Sequence, residues 1–200
     1  SGLGSSAASA AAGAFAANRL FGDQLSKEEL LLICTEAEES VSGGFFADNT
    51  AASLYGGVTL TISLDPLDVV PLGCLNGLTL VVVTPNMELL TVKARKALPK
   101  TVPMKGFISN LGNTAGIVAS FVKKDAALFA RCVKDDVIEP ARARLIPGFA
   151  DVKAAALGHG ALGCSISGAG PTVFAALPSG GPADKVAEAM KKAFRKHGLK

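Results

Sequence analysis

The order of helical and strand-like patterns along the 200-residue chain is the feature that most restricts its fold. Helical segments come first, two strand segments follow, further helices come next, and a strand–turn–strand–helix sequence ends the chain. Because this order lacks the regular strand–helix alternation of a parallel sheet, it predicts the α+β class, with helices packed on mostly antiparallel sheet. The predicted helices cover residues 5–20, 27–39, 49–55, 91–98, 104–123, 126–134, 149–157 and 183–197, and the predicted strands cover residues 58–64, 78–83, 162–167 and 172–177.

Capping residues and prolines set the boundaries of these elements. Ser26, followed three residues later by Glu29, predicts a capping box at the start of the second helix. Thr91 and Asp125 are predicted to cap two later helices. Residues 141–146 are predicted to form a loop, because Pro140 and Pro147 bracket them.

The composition excludes several classes of protein. Hydrophobic residues make up 49% of the chain and charged residues 18%, which excludes a disordered protein. A net charge of +3 and the absence of Trp argue against a nucleic-acid partner. The apolar stretch at residues 7–17 is too short to span a membrane, so no membrane partner is predicted. With no C-x-x-C pair and only two histidines, the four separated cysteines indicate neither a zinc site nor a disulfide framework, and a reducing compartment fits better.

A glycine loop opens the chain and leads into the first helix. Gly2 and Gly4 allow the backbone to approach a bulky anion, and Ser5 and Ser6 fall in the first helical turn. The N–H groups and the dipole of that turn favour a phosphate, and the serine hydroxyls suit a phosphate or Mg²⁺. The loop matches neither the Walker A pattern nor the dinucleotide fingerprint. The alternative is a glycine-led, serine-capped helix that serves packing alone.

Acidic and amide side chains follow on the next two helices. Glu36, Glu38 and Glu39 lie near the end of the second helix, where they are either a solvated polar end or the source of one Mg²⁺ ligand opposite the serines. Asp48 and Asn49 either cap the third helix or recognise a substrate, since Asp can hold an ammonium group and Asn both donates and accepts hydrogen bonds.

The second half of the chain carries arginines and a second glycine turn. Arg95, Arg142 and Arg144 could each bind a carboxylate or phosphate, although a single arginine is more often a surface residue. The turn at residues 167–172 joins two predicted strands and contains more small residues than a simple turn requires. His159 is predicted to be a loop residue, and His197 is predicted to lie on a solvated helix face. No Ser-His-Asp or Cys-His constellation is indicated.

Two of these segments together resemble motifs of the GHMP kinases, the family of galactokinase, homoserine kinase, mevalonate kinase and phosphomevalonate kinase. Residues 2–8, GLGSSAA, resemble the family's glycine-rich phosphate motif, and residues 166–172, ISGAGPT, resemble its third motif. Three further stretches resemble the homoserine kinases within that family, namely residues 47–49 (ADN), 65–68 (DPLD) and 139–148 (EPARARLIPG). The resemblance covers essentially the whole chain and implies a GHMP-kinase-like α+β fold.

The resemblance implies transfer of the γ-phosphoryl group of ATP, with Mg²⁺, to the hydroxyl of L-homoserine, a step of threonine biosynthesis. No residue is predicted to be a general base, because positioning and charge neutralisation carry most of phosphoryl-transfer catalysis. The implied phosphate-binding residues are Gly2, Leu3, Gly4, Ser5, Ser6 and Ala7. The implied Mg²⁺ ligands are Ser6 and Glu38, with Glu36 and Glu39 as alternatives to Glu38. The implied homoserine-binding residues are Asp48, Asn49, Thr91, Arg95 and Arg142, and Gly168 and Gly170 would line the substrate and phosphate side.

Two departures from the family pattern affect this hypothesis. Phe46 stands where the family commonly has His, so a ring nitrogen is lost from the implied pocket. The family's first motif is expected to lie upstream of Ser1, and the closing C-terminal strand is expected to lie beyond Lys200. The chain is therefore expected to be a fragment whose own activity is in question. Residues 1–75 are expected to be the remainder of a nucleotide-binding domain and residues 76–200 a C-terminal GHMP-type domain.

Two other functions stay open at the level of sequence. One is a GHMP kinase for another small alcohol, such as a mevalonate-type kinase, and the other is a non-catalytic homologue that binds only nucleotide or a partner. A homodimer is compatible with the resemblance. The expected location is the cytoplasm, or the plastid stroma if the source is a plant or alga.

Overall fold

The computed structural model describes residues 2–200, without the side chains of residues 41 and 42. Within that range the helices are α1 (Ser5–Leu20), α2 (Lys27–Ser42), α3 (Asp48–Tyr55), α4 (Thr91–Lys96), α5 (Met104–Lys123), α6 (Ala126–Cys132), α7 (Ile138–Ala143), α8 (Phe149–Gly158) and α9 (Ala183–Lys196). The strands are β1 (Val58–Leu64), β2 (Leu67–Gly73), β3 (Leu78–Val83), β4 (Gly163–Ile166) and β5 (Val173–Pro178). All strand pairs are antiparallel, so the predicted α+β class is confirmed.

The chain forms two compact units. The first unit consists of residues 4–74, and the second unit consists of residues 75–200 together with Gly2 and Leu3. The assignment of residues 1–75 to a nucleotide-binding domain and of residues 76–200 to a C-terminal GHMP-type domain stays a prediction.

In the first unit, α1, α2 and α3 pack together beside the β1–β2 hairpin. Small residues make this close packing possible, because Ala7 on α1 and Ala51 on α3 are fully buried. Leu30 and Leu31 of α2 supply the larger apolar side chains of this core. The start of α2 has the predicted capping box, in which the Ser26 and Glu29 side chains each accept a hydrogen bond from the other residue's backbone N–H.

The second unit is built on a three-stranded sheet with the order β3–β5–β4. Helices α8 and α9 cover one face, where Val173 and Leu177 of β5 and Met190 and Phe194 of α9 are buried in one cluster. On the opposite face, α5 and α6 pack against β5 in a second cluster that includes Phe129, Ala130 and Ala176. The central strand is therefore apolar on both faces, with Val173 and Leu177 in the first cluster and Ala176 in the second.

Several predicted boundaries are wrong. Thr91 does not cap α4, since Leu90 occupies the N-cap position and Thr91 is the first helical residue. Helix α2 extends to Ser42 instead of residue 39, and strand β2 was not predicted at all. The predicted loop at residues 141–146 begins instead with the last residues of α7, because a helix starts at Ile138 in spite of Pro140. Proline is tolerated there because a first-turn residue needs no intrahelical N–H bond.

Residues 2–200 contain no helix that is long and apolar enough to cross a membrane.

Candidate functional site

The glycine loop leads into α1 with a backbone that favours glycine. Gly4 is the N-cap residue of α1 in the left-handed region, with a φ of 62°, and it supplies no side-chain cap. The N–H groups of the first turn of α1 are thus left without the capping oxygen that Ser or Asp would provide at this position. A Cβ at Gly4 would lie 2.8 Å from the Asn49 Oδ1, so the loop passes close to the start of α3. This geometry suits an anion at the helix N-terminus.

Gly2 contacts the second glycine turn within the second unit. The Ser167 hydroxyl donates a 2.6 Å hydrogen bond to the Gly2 carbonyl. Gly2 has a φ of 77°, and a Cβ there would lie only 2.6 Å from the Ser167 carbonyl oxygen. Only glycine fits this close approach without strain, because both the φ and the space exclude a side chain. Gly2, the first residue of the first glycine-rich motif, therefore contacts the second motif.

The turn at residues 167–172 has the special backbone that its small residues predicted. Gly168 and Gly170 have φ values of 56° and 82°. The turn is closed by the Gly170 N–H, which donates to the Ser167 carbonyl at 2.9 Å, and by the Ser167 N–H, which donates to the Thr172 carbonyl at 2.8 Å. The Ile146 side chain packs against the turn at Gly170, since a Cβ at Gly170 would lie 2.9 Å from the Ile146 Cδ1.

Ser6 and Glu38 meet within the first unit. The Ser6 hydroxyl donates a 2.8 Å hydrogen bond to the Glu38 carboxylate, which is half-buried, whereas Glu36 and Glu39 are exposed. Within the described residues, no group of three His, Cys, Asp or Glu side chains is arranged to hold a metal. Two neighbouring oxygen donors nevertheless fit Mg²⁺, which usually takes one or two protein oxygens and completes its shell with water and substrate phosphates.

A buried pair of threonines joins the helices that carry these residues. The hydroxyls of Thr35 on α2 and Thr50 on α3 are 3.0 Å apart, and both residues are fully buried. Thr35 lies one turn before Glu38, and Thr50 follows Asn49 directly. The pair fixes α2 relative to α3, and so fixes Glu38 relative to Asn49.

Asp48 and Asn49 begin α3, but neither is its N-cap residue. Ala47 occupies the cap position, so the helix-cap alternative for Asp48 and Asn49 is wrong. Asp48 and Asn49 are both exposed. Phe46, which replaces the family's usual His, is 41% exposed, and its ring lies against Gly44.

Four predicted residues lie elsewhere in the second unit. Arg142 on α7 donates a 2.8 Å hydrogen bond from its Nη1 to the Gly168 carbonyl, so it is brought to the glycine turn. Thr91 lines a cavity of about 620 Å³ next to the start of α4, and Arg95 lies half-buried on the same helix. Arg144 is exposed and lines a separate cavity of about 560 Å³, away from the residues that bind Arg142.

A carboxylate holds the start of the helix that carries Arg142. Asp135 accepts hydrogen bonds from the Asn110 amide and from the backbone N–H groups of Val137, Ile138 and Glu139. Partial burial alone would raise the pKa of Asp135, but these four donors together lower it below its ordinary value. Asp135 is therefore ionised at neutral pH and caps α7.

Sequence reasoning missed a polar cluster beneath the glycine turn. The Glu139 carboxylate, on a residue only 9% exposed, accepts a 2.5 Å hydrogen bond from the Lys153 ammonium and a 2.6 Å bond from the Ser165 hydroxyl. The only sequence signal was the position of Glu139 at the start of the stretch 139–148. Burial raises the pKa of the nearby Cys164 thiol to about 12, so this cysteine is not a nucleophile at neutral pH.

Comparison with known proteins identifies the class to which this arrangement belongs. Residues 1–57 match the N-terminal domain of the GHMP kinases, and residues 117–196 match the C-terminal domain of the same family. The chain belongs to the GHMP kinase family, as the resemblance in the sequence predicted.

The relatives most similar in sequence include several homoserine kinases. A homoserine kinase of Chlorobium phaeobacteroides is 45% identical over 97% of the chain, and one of Arabidopsis thaliana is 44% identical over 92%. The crystal structure of a homoserine kinase from Cytophaga hutchinsonii is 46% identical, with a TM-score of 0.94 over the whole chain and 64% of that protein. The crystal structure of an L. major mevalonate kinase, at 20% identity and with a TM-score of 0.70, shares the fold. The chain spans 61% of the Chlorobium relative and 50% of the Arabidopsis relative.

Proposed function

We propose that this protein is an ATP-dependent kinase that phosphorylates the hydroxyl of L-homoserine, giving O-phospho-L-homoserine for threonine biosynthesis. The observation that carries the proposal is that Arg142, whose guanidinium can bind a carboxylate, is hydrogen-bonded to the turn that holds Gly2, in a chain similar to homoserine kinases. Homoserine carries a carboxylate, which an arginine fork binds well. A homodimer and a cytoplasmic or plastid location stay predictions.

The roles proposed for the glycine loop concern the nucleotide. The loop Gly2–Ala7 would hold the phosphates of ATP with backbone N–H groups at the start of α1, where no side-chain oxygen competes. Ser6 and Glu38 would hold Mg²⁺, which when bound would neutralise charge on the phosphates.

The roles proposed for the remaining residues concern the acceptor. Arg95 and Arg142 would bind the homoserine carboxylate, Thr91 would contact the acceptor, and Asp48 and Asn49 would bind its ammonium and hydroxyl groups. Gly168 and Gly170 would line the site with backbone. No residue is assigned as a general base, because holding the hydroxyl in line with the γ-phosphoryl group supplies most of the rate in this chemistry.

An acceptor panel combined with one arginine substitution tests the proposal. We expect L-homoserine to be the preferred acceptor over mevalonate and galactose in an ADP-release assay. Arg142→Lys keeps the positive charge but loses the planar fork, so the KM for homoserine should rise about tenfold, which corresponds to about 1.4 kcal/mol. The KM for ATP should change by less than about twofold, since the affected group touches only the acceptor.

Arg144→Lys is the matched control, because Arg144 is an exposed arginine two residues further along the chain. It should leave both KM values unchanged. A preference for mevalonate, or equal effects of Arg142→Lys on both KM values, would contradict the proposal. Binding of Mg·ATP without turnover of any acceptor would favour a nucleotide-binding homologue instead.

A further inference from the structure

Among the described residues of the second unit, Glu139 is the buried charged residue that the proposed chemistry does not use. Its carboxylate binds two partners on different elements, Lys153 of α8 and Ser165 of β4. A buried carboxylate is stable only when it is paired and hydrogen-bonded, and both oxygens of Glu139 have such a partner. Glu139 thus ties α7 to both the sheet and α8.

The position of Glu139 on α7 links it to Arg142. Residues three apart on a helix lie on the same face, so Glu139 and Arg142 lie on one face of α7. Glu139 reaches Ser165 on β4, and Arg142 reaches Gly168 in the turn that follows the same strand. The two contacts place α7 alongside the end of β4 at two points, one turn of helix apart.

The strand side of this contact leads on to the glycine loop. Ser165 lies in β4, and Ser167 directly follows the last residue of that strand. Ser165 donates to Glu139, and Ser167 donates to the Gly2 carbonyl. The Glu139 carboxylate therefore binds the strand whose following turn contacts both Arg142, through Gly168, and Gly2, through Ser167.

We infer that Glu139 is a positioning residue that holds the Arg142 guanidinium and the 167–170 turn in the geometry required for the acceptor carboxylate. It touches neither substrate, and it acts through Arg142 and Ser165. This inference rests on the proposed function for its kinetic part. Its structural part, that Glu139 holds the turn closed, stands on the contacts alone.

The first test is a double-mutant cycle between Glu139→Gln and Arg142→Lys. The side-chain amide of Gln has one oxygen acceptor where Glu has two. One of the hydrogen bonds from Lys153 and Ser165 is therefore lost, and α7 is held less firmly against β4 and α8. The KM for homoserine should rise about fivefold, the scale of one net hydrogen bond, while kcat and the KM for ATP change by less than about twofold. In the double variant, Glu139→Gln should add nothing to the effect of Arg142→Lys, because Glu139 acts through that arginine.

The second test follows amide hydrogen exchange of the turn without any substrate. The N–H groups of Ser167 and Gly170, which close the turn, should exchange about fivefold or more faster in Glu139→Gln. Glu188→Gln is the matched control, because it removes the carboxylate of an exposed ion pair with Lys191 on α9. It should leave exchange of the turn unchanged. Ser165→Ala, a milder change, should act in the same direction and covers the case in which Glu139→Gln does not fold.

The outcomes distinguish a failure of the positioning role of Glu139 from a failure of the proposed function. Unchanged exchange of the turn in both Glu139→Gln and Ser165→Ala would overturn the inference whatever the substrate is. Equal rises of both KM values, or additive effects in the cycle, would reduce Glu139 to a general stabilising residue and overturn its positioning role. If the wild-type protein phosphorylates no homoserine, the proposed function fails, and the exchange measurement still decides the structural part.

Discussion

Replacing Gly2 with alanine tests the contact between the two glycine-rich motifs. Alanine at a φ of 77° costs about 1–2 kcal/mol. Its Cβ would also lie 2.6 Å from the Ser167 carbonyl oxygen, so the loop must move away. That movement breaks the bond from the Ser167 hydroxyl to the Gly2 carbonyl, worth about 0.5–1.5 kcal/mol net. Binding of a phosphate must restore the loop, so the Kd for Mg·ATP should rise about 30- to 100-fold, or about 2–3 kcal/mol.

Calorimetric titration measures the Kd for Mg·ATP, and a thermal melt measures the stability of the variant. The melting temperature should fall by about 1–6 °C, the scale of one lost hydrogen bond, because the displaced loop relieves the clash without disturbing either core. Gly13→Ala on α1 is the matched control, since no atom lies within 4 Å of a Cβ there. It should stabilise the protein by up to about 1 kcal/mol through helix propensity and leave the Kd unchanged. Wild-type affinity for Mg·ATP in Gly2→Ala would refute the reasoning.

Three further predictions concern individual side chains. Ser6→Ala should weaken use of Mg·ATP about tenfold by removing the oxygen beside Glu38, and unaltered steady-state kinetics would contradict the assignment. Asp135 has a lowered folded-state pKa, so its stabilising contribution is present above the ordinary pKa of 3.8 and is lost as the pH falls further. Acid unfolding should therefore be less steep below about pH 4 in Asp135→Asn, and an unchanged slope would count against this role. In the native protein, iodoacetamide should label the exposed Cys74 and spare the buried Cys164, and mass spectrometry that finds equal labelling would disprove the burial argument.

Local signals explain the elements that the sequence predicted well. The Ser26 capping box and the Asp125 cap act within four residues, and both are present in the structure. The glycine loop before α1 was likewise located from residue type alone, and Gly4 is the N-cap residue of that helix. Such features depend on short stretches of chain, so a single sequence carries them.

The missed features depend on distant partners or on broken patterns. Strand β2 contains Pro71 and ends in Gly73, which interrupt the alternation that marks a strand, and its pairing with β1 overrides the local signal. Helix α7 forms because Asp135 supplies its cap before a proline that suggested a loop. Glu139 meets partners 14 and 26 residues away, and no local pattern reports such contacts.

The bond between Gly2 and Ser167 has a consequence for the order in which the protein matures during synthesis. Its two ends are 165 residues apart, so Gly2 cannot be held in place until Ser167 has been synthesised. At about 5–20 residues per second, translation leaves this loop without its anchoring turn for roughly ten seconds or more. We expect nascent chains arrested before Ser167 to bind Mg·ATP no better than Gly2→Ala, and tight binding by such ribosome-bound chains would show that the loop matures alone.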